Sequence, residues 1–296
     1  MTASTPRQPG RRAITLIELL IVVAIIALLA AIVVPALGGA RAAGRASVCL
    51  ATLHNAGLAA TMYLDDHDGA FWPYYVDTPG ADGGRRWWFG FEPGGPAADP
   101  WRGHRPLIKA AGFLGRYLSG SADDFRCPSF PYGDGKFFPK FAPAAGGYGY
   151  NTAALGGHSW IDPFSRRPRR AGEFDGRTAE VFVLADGIHF DRLEFDGPGG
   201  LTQPFNEPAY IQWQPPAYFE TNFGVNGGFG HFRHRGRANA LYIDGHASAQ
   251  PVRRALHPYS SQGYGAVSNL SDAQLGVTRV PRGATVLEVD RIYGLP

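Results

Sequence analysis

The sequence predicts an α+β protein in which one long N-terminal helix packs on an antiparallel β-sheet domain with long loops. Two observations predict this class: an N-terminal apolar run continues at helical spacing, and two later apolar runs each end in Asp-Gly. Glycine and proline together make up 64 of the 296 residues, which excludes a helical bundle because both destabilise helix interiors. Aromatic residues, at 13%, are frequent enough for a folded core.

The apolar run covers residues 14–34 and contains one charge, Glu18. A helix of this length spans roughly 30 Å, the hydrocarbon thickness of a bilayer, so the run predicts a transmembrane helix. Arg7, Arg11 and Arg12 precede it, which places the N-terminus in the cytoplasm and the rest of the chain outside. A secretory signal peptide is the alternative, although its apolar core is usually only about 7–15 residues long.

The segment AITLIELL, from Ala13 to Leu20, resembles the start of the mature chain in type IV prepilins and type II secretion pseudopilins. The resemblance implies that a prepilin peptidase removes residues 1–13 as a leader and that Ile14 becomes the methylated N-terminus. Glu18 would then be the fifth residue and would pair with the N-terminus of a neighbouring subunit. Ala13 and Ile14 stand where the family usually has glycine and phenylalanine or methionine.

Beyond Pro35, apolar residues keep helical spacing as far as Tyr63. We therefore expect residues 35–65 to continue the helix outside the membrane and to pack on a globular domain formed by residues 66–296. The apolar residues that carry this spacing are Leu37, Ala40, Val48, Leu50, Leu53, Leu58 and Met62.

The residues that end this helix, Asp65 to Gly69, have the oxygen-rich composition of a calcium loop but not the spacing of an EF-hand. A helix C-terminus before a glycine turn explains the same residues. No cofactor is expected, with calcium as the open alternative.

Two strands are predicted by the apolar runs Val181–Ala185 and Ala240–Ile243. Asp-Gly follows each run and is typical of hairpin turns, so we expect two strand–turn units in one sheet. Another strand is expected at residues 284–289. Residues 77–106 and 196–230 are expected to be long loops, whose aromatic side chains either anchor the loops in the core or form a sugar-binding surface.

His234 is separated from Asp244-Gly245 by nine residues. This spacing, with Phe125–Ser129, Tyr148–Asn151 and Leu184–Gly187, resembles a family of prepilin-type proteins whose C-terminal H-X9-DG domain has no assigned function. We expect Asp244 and Gly245 to form a tight turn, and His234 to pack beside it against a carbonyl or Asp244. A catalytic or metal site is the alternative, although no HExxH, GxSxG, Walker or zinc-finger spacing occurs.

Cys49 and Cys127 are the only cysteines in the chain. Both fall on the extracytoplasmic, oxidising side of the expected topology, so we predict a disulfide between them, with two buried free thiols as the alternative.

These features together predict a non-enzymatic pilin- or pseudopilin-like subunit, a minor component, whose partners are the inner membrane, a prepilin peptidase and other pilin-like subunits. The open alternatives are a membrane-anchored extracytoplasmic binding protein for carbohydrate or metal, and an anchored hydrolase. Three of the 28 basic residues lie in the leader, which leaves 25 against 25 acidic residues. No nucleic-acid partner is therefore expected.

Overall fold

The computed structural model describes residues 15–80, 83–94, 105–118, 125–130, 132, 137–138, 140–152, 154–156, 167–190, 205–206, 210–211, 227–251 and 275–276. These residues form one long α-helix and fourteen β-strands, most of which pair in antiparallel fashion. The α+β class and the long N-terminal helix predicted from the sequence are confirmed.

The helix α1 runs from Leu16 to Asp66 and contains Pro35. It begins at a capping box: Thr15 donates its backbone N–H (2.8 Å) and its hydroxyl (2.9 Å) to Glu18 Oε2, and Glu18 N–H donates to Thr15 Oγ1 (3.3 Å). This reciprocal pair satisfies two backbone donors at the helix start, which explains why the helix begins two residues after Ile14. At the other end, Gly69 takes a φ of +73° and donates its N–H to the carbonyl of Leu64.

The chain divides into two compact units, one up to Gly44 and one from Arg45 onward. In the first unit, the large apolar side chains between Leu16 and Val34 are all more than half exposed. In the second unit, one face of α1 is buried in the core. That face consists of Cys49, Leu53, Ala56, Gly57, Ala59, Ala60 and Tyr63.

The sequence predicted the helix correctly but predicted its buried face beyond residue 45 only in part, because Leu53 is buried as expected. Val48, Leu58 and Met62 were expected in the core, yet each is more than half exposed. The buried face carries small residues because α1 approaches the sheet closely. A Cβ added at Gly57 would lie 2.8 Å from Leu241 Cδ1, closer than carbon atoms approach without displacement.

The first sheet after the helix lies in a region expected to be a loop. Strands β1 (Tyr75–Thr78), β2 (Gly84–Trp87) and β3 (Gly90–Pro93) form a three-stranded antiparallel sheet. The expectation of a loop over 77–106 is therefore wrong in its first half. Trp87 and Trp88 are 3% and 1% exposed, so they belong to the core. Trp101 lies outside the described residues.

The central sheet is organised around β8 (Phe182–Phe190). The first half of β8 pairs antiparallel with β7 (Tyr148–Asn151) and β12 (Arg237–Tyr242), and its second half pairs with β11 (Gly227–His231). β12 also forms a hairpin with β13 (Ala247–Pro251).

The remaining elements are short strands and turns. The strands are β4 (Arg105–Pro106), β5 (Phe137–Phe138), β6 (Phe141–Ala142), β9 (Phe205–Asn206), β10 (Tyr210–Ile211) and β14 (Leu275–Gly276). Residues Ala171–Phe174 form a 3-10 turn.

Of the two predicted Asp-Gly turns, one is present and one is wrong. β12 does end in a turn at Asp244-Gly245. β8 instead continues straight through Asp186-Gly187, because strands on both sides pair with its backbone there. The strand expected at 284–289 lies outside the described residues, as does most of 196–230.

Candidate functional site

A buried group of four potential ligands lies where α1 meets the central sheet. Cys49 comes from α1, Cys127 from the segment after Phe125, Asp186 from β8, and His234 from the turn between β11 and β12. One ligating atom of each residue lies within 4.8 Å of the other three. We call these four residues the Cys-His-Asp cluster. Across the described part of the chain, no second group of three or more His, Cys, Asp or Glu side chains is arranged in this way.

Asp186 is the centre of the cluster and is fully buried. Its Oδ1 accepts a hydrogen bond from the Cys49 thiol (3.3 Å), and its Oδ2 accepts one from the Asn239 backbone N–H (2.7 Å). His234 Nε2 lies 3.1 Å from Oδ2, and an Arg233 guanidinium nitrogen lies 3.5 Å from Oδ1. Both carboxylate oxygens therefore have polar partners within the protein and are not in contact with solvent.

The charge of Asp186 is stabilised by its neighbours. Burial by itself would raise the pKa of this carboxyl, but the positive charge of Arg233 and the hydrogen bond and charge of His234 hold the pKa below its usual range. Arg233 is itself held in place, since it donates to the carbonyls of Gly147 and Gly187, each at 2.8 Å.

The two thiols lie on either side of this ion pair. Cys49 Sγ is 3.2 Å from the Tyr148 hydroxyl, and Cys127 Sγ is 3.5 Å from His234 Nε2. Burial raises the pKa of Cys49. The hydrogen bond from Cys49 lowers the pKa of Cys127 against the opposing effect of burial, and the hydrogen bond from His234 lowers it further.

Cys49 and Cys127 lie close together, but no disulfide bond joins them. The structure records both residues as free thiols, with their sulfur atoms within 4.8 Å of each other. A disulfide between them is not formed here and stays a prediction for the oxidised protein.

The pKa values of two buried histidines near Arg233 are shifted in opposite directions. Burial opposes the charged form of His234, but its hydrogen bonds to Asp186 and Cys127 raise its pKa to about 9. For His231, in contrast, burial, reinforced by the charge of Arg233, lowers the pKa to about 3. His231 is therefore a neutral residue of the core at neutral pH.

Asp244 and Gly245 lie outside the cluster. Gly245 adopts a φ of +85° and donates its N–H to the carbonyl of Tyr242, while Asp244 Oδ1 accepts the N–H of His246 (3.1 Å). These contacts are those of a turn. The expectation that His234 packs against Asp244 is wrong. The His234 imidazole contacts Asp186 instead, with its Nε2 atom 3.1 Å from Asp186 Oδ2.

The acidic residues at the end of α1 make contacts that stabilise the end of the helix. Asp66 Oδ2 accepts the Tyr117 hydroxyl (2.8 Å), and Asp68 takes the positive φ of +53° that ends the helix. They form no ligand group of the kind found in the Cys-His-Asp cluster, so the described residues lend the calcium alternative no support.

Asp186 is the functional candidate that the sequence analysis missed. The Asp-Gly dipeptide was taken to end a strand, although Ile188 and Phe190 continue an alternating pattern beyond it. That alternation was the available signal for a strand running through Asp186. Nothing in the sequence indicated that Asp186 would meet His234, which follows 48 positions later.

The N-terminal segment matches a known family. A family model described as the prokaryotic N-terminal methylation motif matches residues 9–34, which include Ala13, Ile14 and Glu18. The helix α1, which begins within this motif at Leu16, is long and apolar enough to cross a membrane. Together they support a pilin-like protein that a prepilin peptidase processes and that an inner-membrane helix anchors. No curated protein and no solved structure matches the chain significantly.

Proposed function

We propose that the mature chain is a non-enzymatic subunit, and a minor one, of a filament built by a type II secretion or type IV pilus-like system. The observation that carries the proposal is the methylation motif at residues 9–34, which includes the start of the 51-residue helix α1. The C-terminal domain would lie in the periplasm or outside the cell, because the arginines stand on the N-terminal side of the helix.

Exposed apolar surface along α1 supports assembly. The side chains between Leu16 and Val34 are suited to lipid and then to neighbouring helices. In the second unit, Val48, Leu58 and Met62 are also more than half exposed, on the part of the helix that packs on the sheet. Apolar side chains exposed in a row along one helix mark a surface for association.

Glu18 supports the same function in a specific way. Both hydrogen bonds from Thr15 go to Oε2, and within the described residues Oε1 accepts none. In lipid this oxygen needs a donor, and the amine created at Ile14 of a neighbouring subunit would supply one. The capping box offers a competing explanation, in which Glu18 only starts the helix.

The size of the domain favours a minor component. Residues 66–296 exceed what a compact repeating subunit requires, and a subunit at a filament tip can carry a large domain. The carbohydrate-binding alternative has less support, because Trp87 and Trp88 are buried rather than presented to solvent. The hydrolase alternative also has less support, because all four cluster residues are buried and offer no substrate access.

The test separates the two explanations of Glu18 by comparing Glu18→Leu with Thr15→Val, each co-expressed with a prepilin peptidase and the filament system. The Thr15 variant loses the two hydroxyl contacts of the capping box, and it keeps both the carboxylate and the backbone N–H that donates to it. We expect mass spectrometry to find N-methylated Ile14 as the first residue of the wild type, and only Glu18→Leu to be absent from sheared filaments. Both variants should insert into the membrane.

Two results would contradict the proposal. A chain recovered with Met1 intact, or cut near Ala43, would exclude prepilin processing. A correctly processed wild-type chain that is absent from sheared filaments would exclude the subunit role. Equal loss of both variants would instead assign Glu18 to helix capping alone.

A further inference from the structure

The Cys-His-Asp cluster brings four ligands from distant parts of the chain into one closed, buried space. The four residues lie on α1, on the segment around Cys127, on β8 and on the turn before β12. Two thiols, an imidazole and a carboxylate fully excluded from solvent are an unusual set for a core, because each polar group must be satisfied inside it. We propose that this cluster is a structural Zn²⁺ site.

The distances between the ligand atoms fit a tetrahedron. With Zn–S bonds of about 2.3 Å and Zn–N and Zn–O bonds of about 2.0–2.2 Å, ligand atoms in a tetrahedral site lie about 3.4–3.8 Å apart. In the cluster, Cys49 Sγ is 3.3 Å from Asp186 Oδ1, Cys127 Sγ is 3.5 Å from His234 Nε2, and His234 Nε2 is 3.1 Å from the other carboxylate oxygen, Asp186 Oδ2. One ligand atom from each residue lies within 4.8 Å of the other three, so shifts of up to about 1 Å would bring the four atoms to tetrahedral separations.

The ligand types select zinc over the cations expected at oxygen-rich sites. Thiolate and imidazole are the ligands of Zn²⁺, whereas Ca²⁺ and Mg²⁺ take oxygen ligands in larger number. Four protein ligands fill the tetrahedron and leave no open position for water or substrate. A closed site of this kind is structural rather than catalytic.

The charges of the bound state also balance. Two thiolates, one carboxylate and Zn²⁺ sum to one negative charge, and the buried Arg233 beside Asp186 neutralises it. On binding, the thiol protons of Cys49 and Cys127 are released to solvent. His234, whose pKa of about 9 keeps it protonated before binding, also releases a proton, so that it coordinates as neutral imidazole. No oxidation or reduction takes place.

The surrounding groups would orient these ligands. Asn239 N–H donates to Asp186 Oδ2, and the Tyr148 hydroxyl lies beside the Cys49 sulfur. Hydrogen bonds of this kind fix the orientation of first-sphere ligands in metal sites. An ion held here would tie α1 to the central sheet, because its ligands come from both.

The experiment uses the full chain, extracted from membranes in detergent with a phosphine reductant and no chelator. Elemental analysis should find about one Zn²⁺ per chain. Replacement of Zn²⁺ by Co²⁺ should produce the visible absorption of a tetrahedral thiolate complex, and a chelator should make both thiols reactive toward an alkylating reagent. These measurements on the wild type do not depend on whether a variant folds.

The chain offers a matched control, because it contains a second Asp–His contact outside the cluster. His234→Ala and Cys127→Ser should weaken Zn²⁺ binding by at least about tenfold. His246→Ala and Asp244→Asn alter the pair whose Oδ1 and Nδ1 atoms lie 2.5 Å apart in the turn after β12, and should retain the ion. Either of two results would overturn the proposal. One is a wild-type chain that contains no zinc and binds none when zinc is added. The other is found in a parallel sample extracted without reductant: cysteines that resist alkylation until reduced, because they form a disulfide.

Discussion

The chain contains two similar tetrapeptides, Leu184-Ala185-Asp186-Gly187 and Tyr242-Ile243-Asp244-Gly245, and the structure uses them in opposite ways. The first lies within a strand, with its aspartate fully buried and bonded to an arginine, a histidine, a thiol and a backbone amide. The second forms a turn, with the side chain of its aspartate about one-third exposed.

The two Asp-Gly dipeptides adopt different structures because of the strands that pack beside them, not because of their own sequence. Asp186-Gly187 is flanked by paired strands, so its backbone is held extended and its carboxylate points to groups from α1, β12 and the preceding turn. Among the residues that the structure describes, no strand pairs with Asp244-Gly245, and the chain folds back there into β13. An Asp-Gly dipeptide thus predicts a turn only where no neighbouring strand competes for the same backbone.

The largest expected effect comes from neutralising the buried aspartate. Asp186→Asn leaves the buried Arg233 without its counter-charge, and breaking a buried ion pair in this way costs about 3–5 kcal/mol in the free energy of unfolding. The matched variant Asp244→Asn keeps an acceptor for the His246 amide in a partly exposed turn, so its cost should stay within about 0.5 kcal/mol.

Chemical unfolding of the full chain in detergent measures both variants. If Asp186→Asn and Asp244→Asn lower the free energy of unfolding by similar amounts, the two aspartates differ in geometry but not in their contribution to stability.

A smaller effect is expected from the buried histidine beside this ion pair. Arg233, Asp186 and His234 face His231, whose folded pKa of about 3 lies below its unfolded value of 6.5. The unfolded chain binds a proton below pH 6.5 that the folded chain does not, so stability is lost as the pH falls from 6.5 toward 3. The loss is about 1.4 kcal/mol per pH unit, or about 2 kcal/mol at pH 5.

His231→Gln removes this titration and should flatten the acid side of the stability profile. Measurements above pH 7, where His231 is neutral in both states, give the packing effect of the substitution alone and serve as the control. An unchanged slope between pH 5 and 6.5 would mean that His231 is not held neutral by burial.

The fold was predictable where a single periodic signal decided the element. The apolar run and the helical spacing that follows it predicted α1 to within one residue at Asp66. Its buried face was not predictable, because Gly57 and its small neighbours are selected by close approach to β12 rather than by hydrophobicity. The three-stranded sheet from Tyr75 to Pro93 was missed because its glycines and prolines suggested a loop.

The site was predictable only in part, for a related reason. A disulfide between Cys49 and Cys127 is predicted because the chain has no other cysteines, and the structure places the two residues close together as free thiols. His234 was assigned to Asp244 by proximity in sequence, whereas the fold gives it Asp186. Contacts between residues 48 positions apart depend on sheet topology, which local patterns do not specify.

The smallest expected effect concerns the glycine of the turn. Gly245 has a φ of +85°, and a Cβ added there would meet no atom within 4 Å, so Gly245→Ala tests backbone conformation alone. The left-handed region costs an L-residue about 1–2 kcal/mol, and the unfolding free energy should fall by that amount. Gly172 provides the control: its Cβ would also meet no atom within 4 Å, its φ is not in the left-handed region, and Gly172→Ala should stay within about 0.5 kcal/mol of wild type. Equal stability of the two variants in chemical unfolding would remove backbone geometry as the reason for glycine at the second Asp-Gly dipeptide, and its turn would then depend on Asp244.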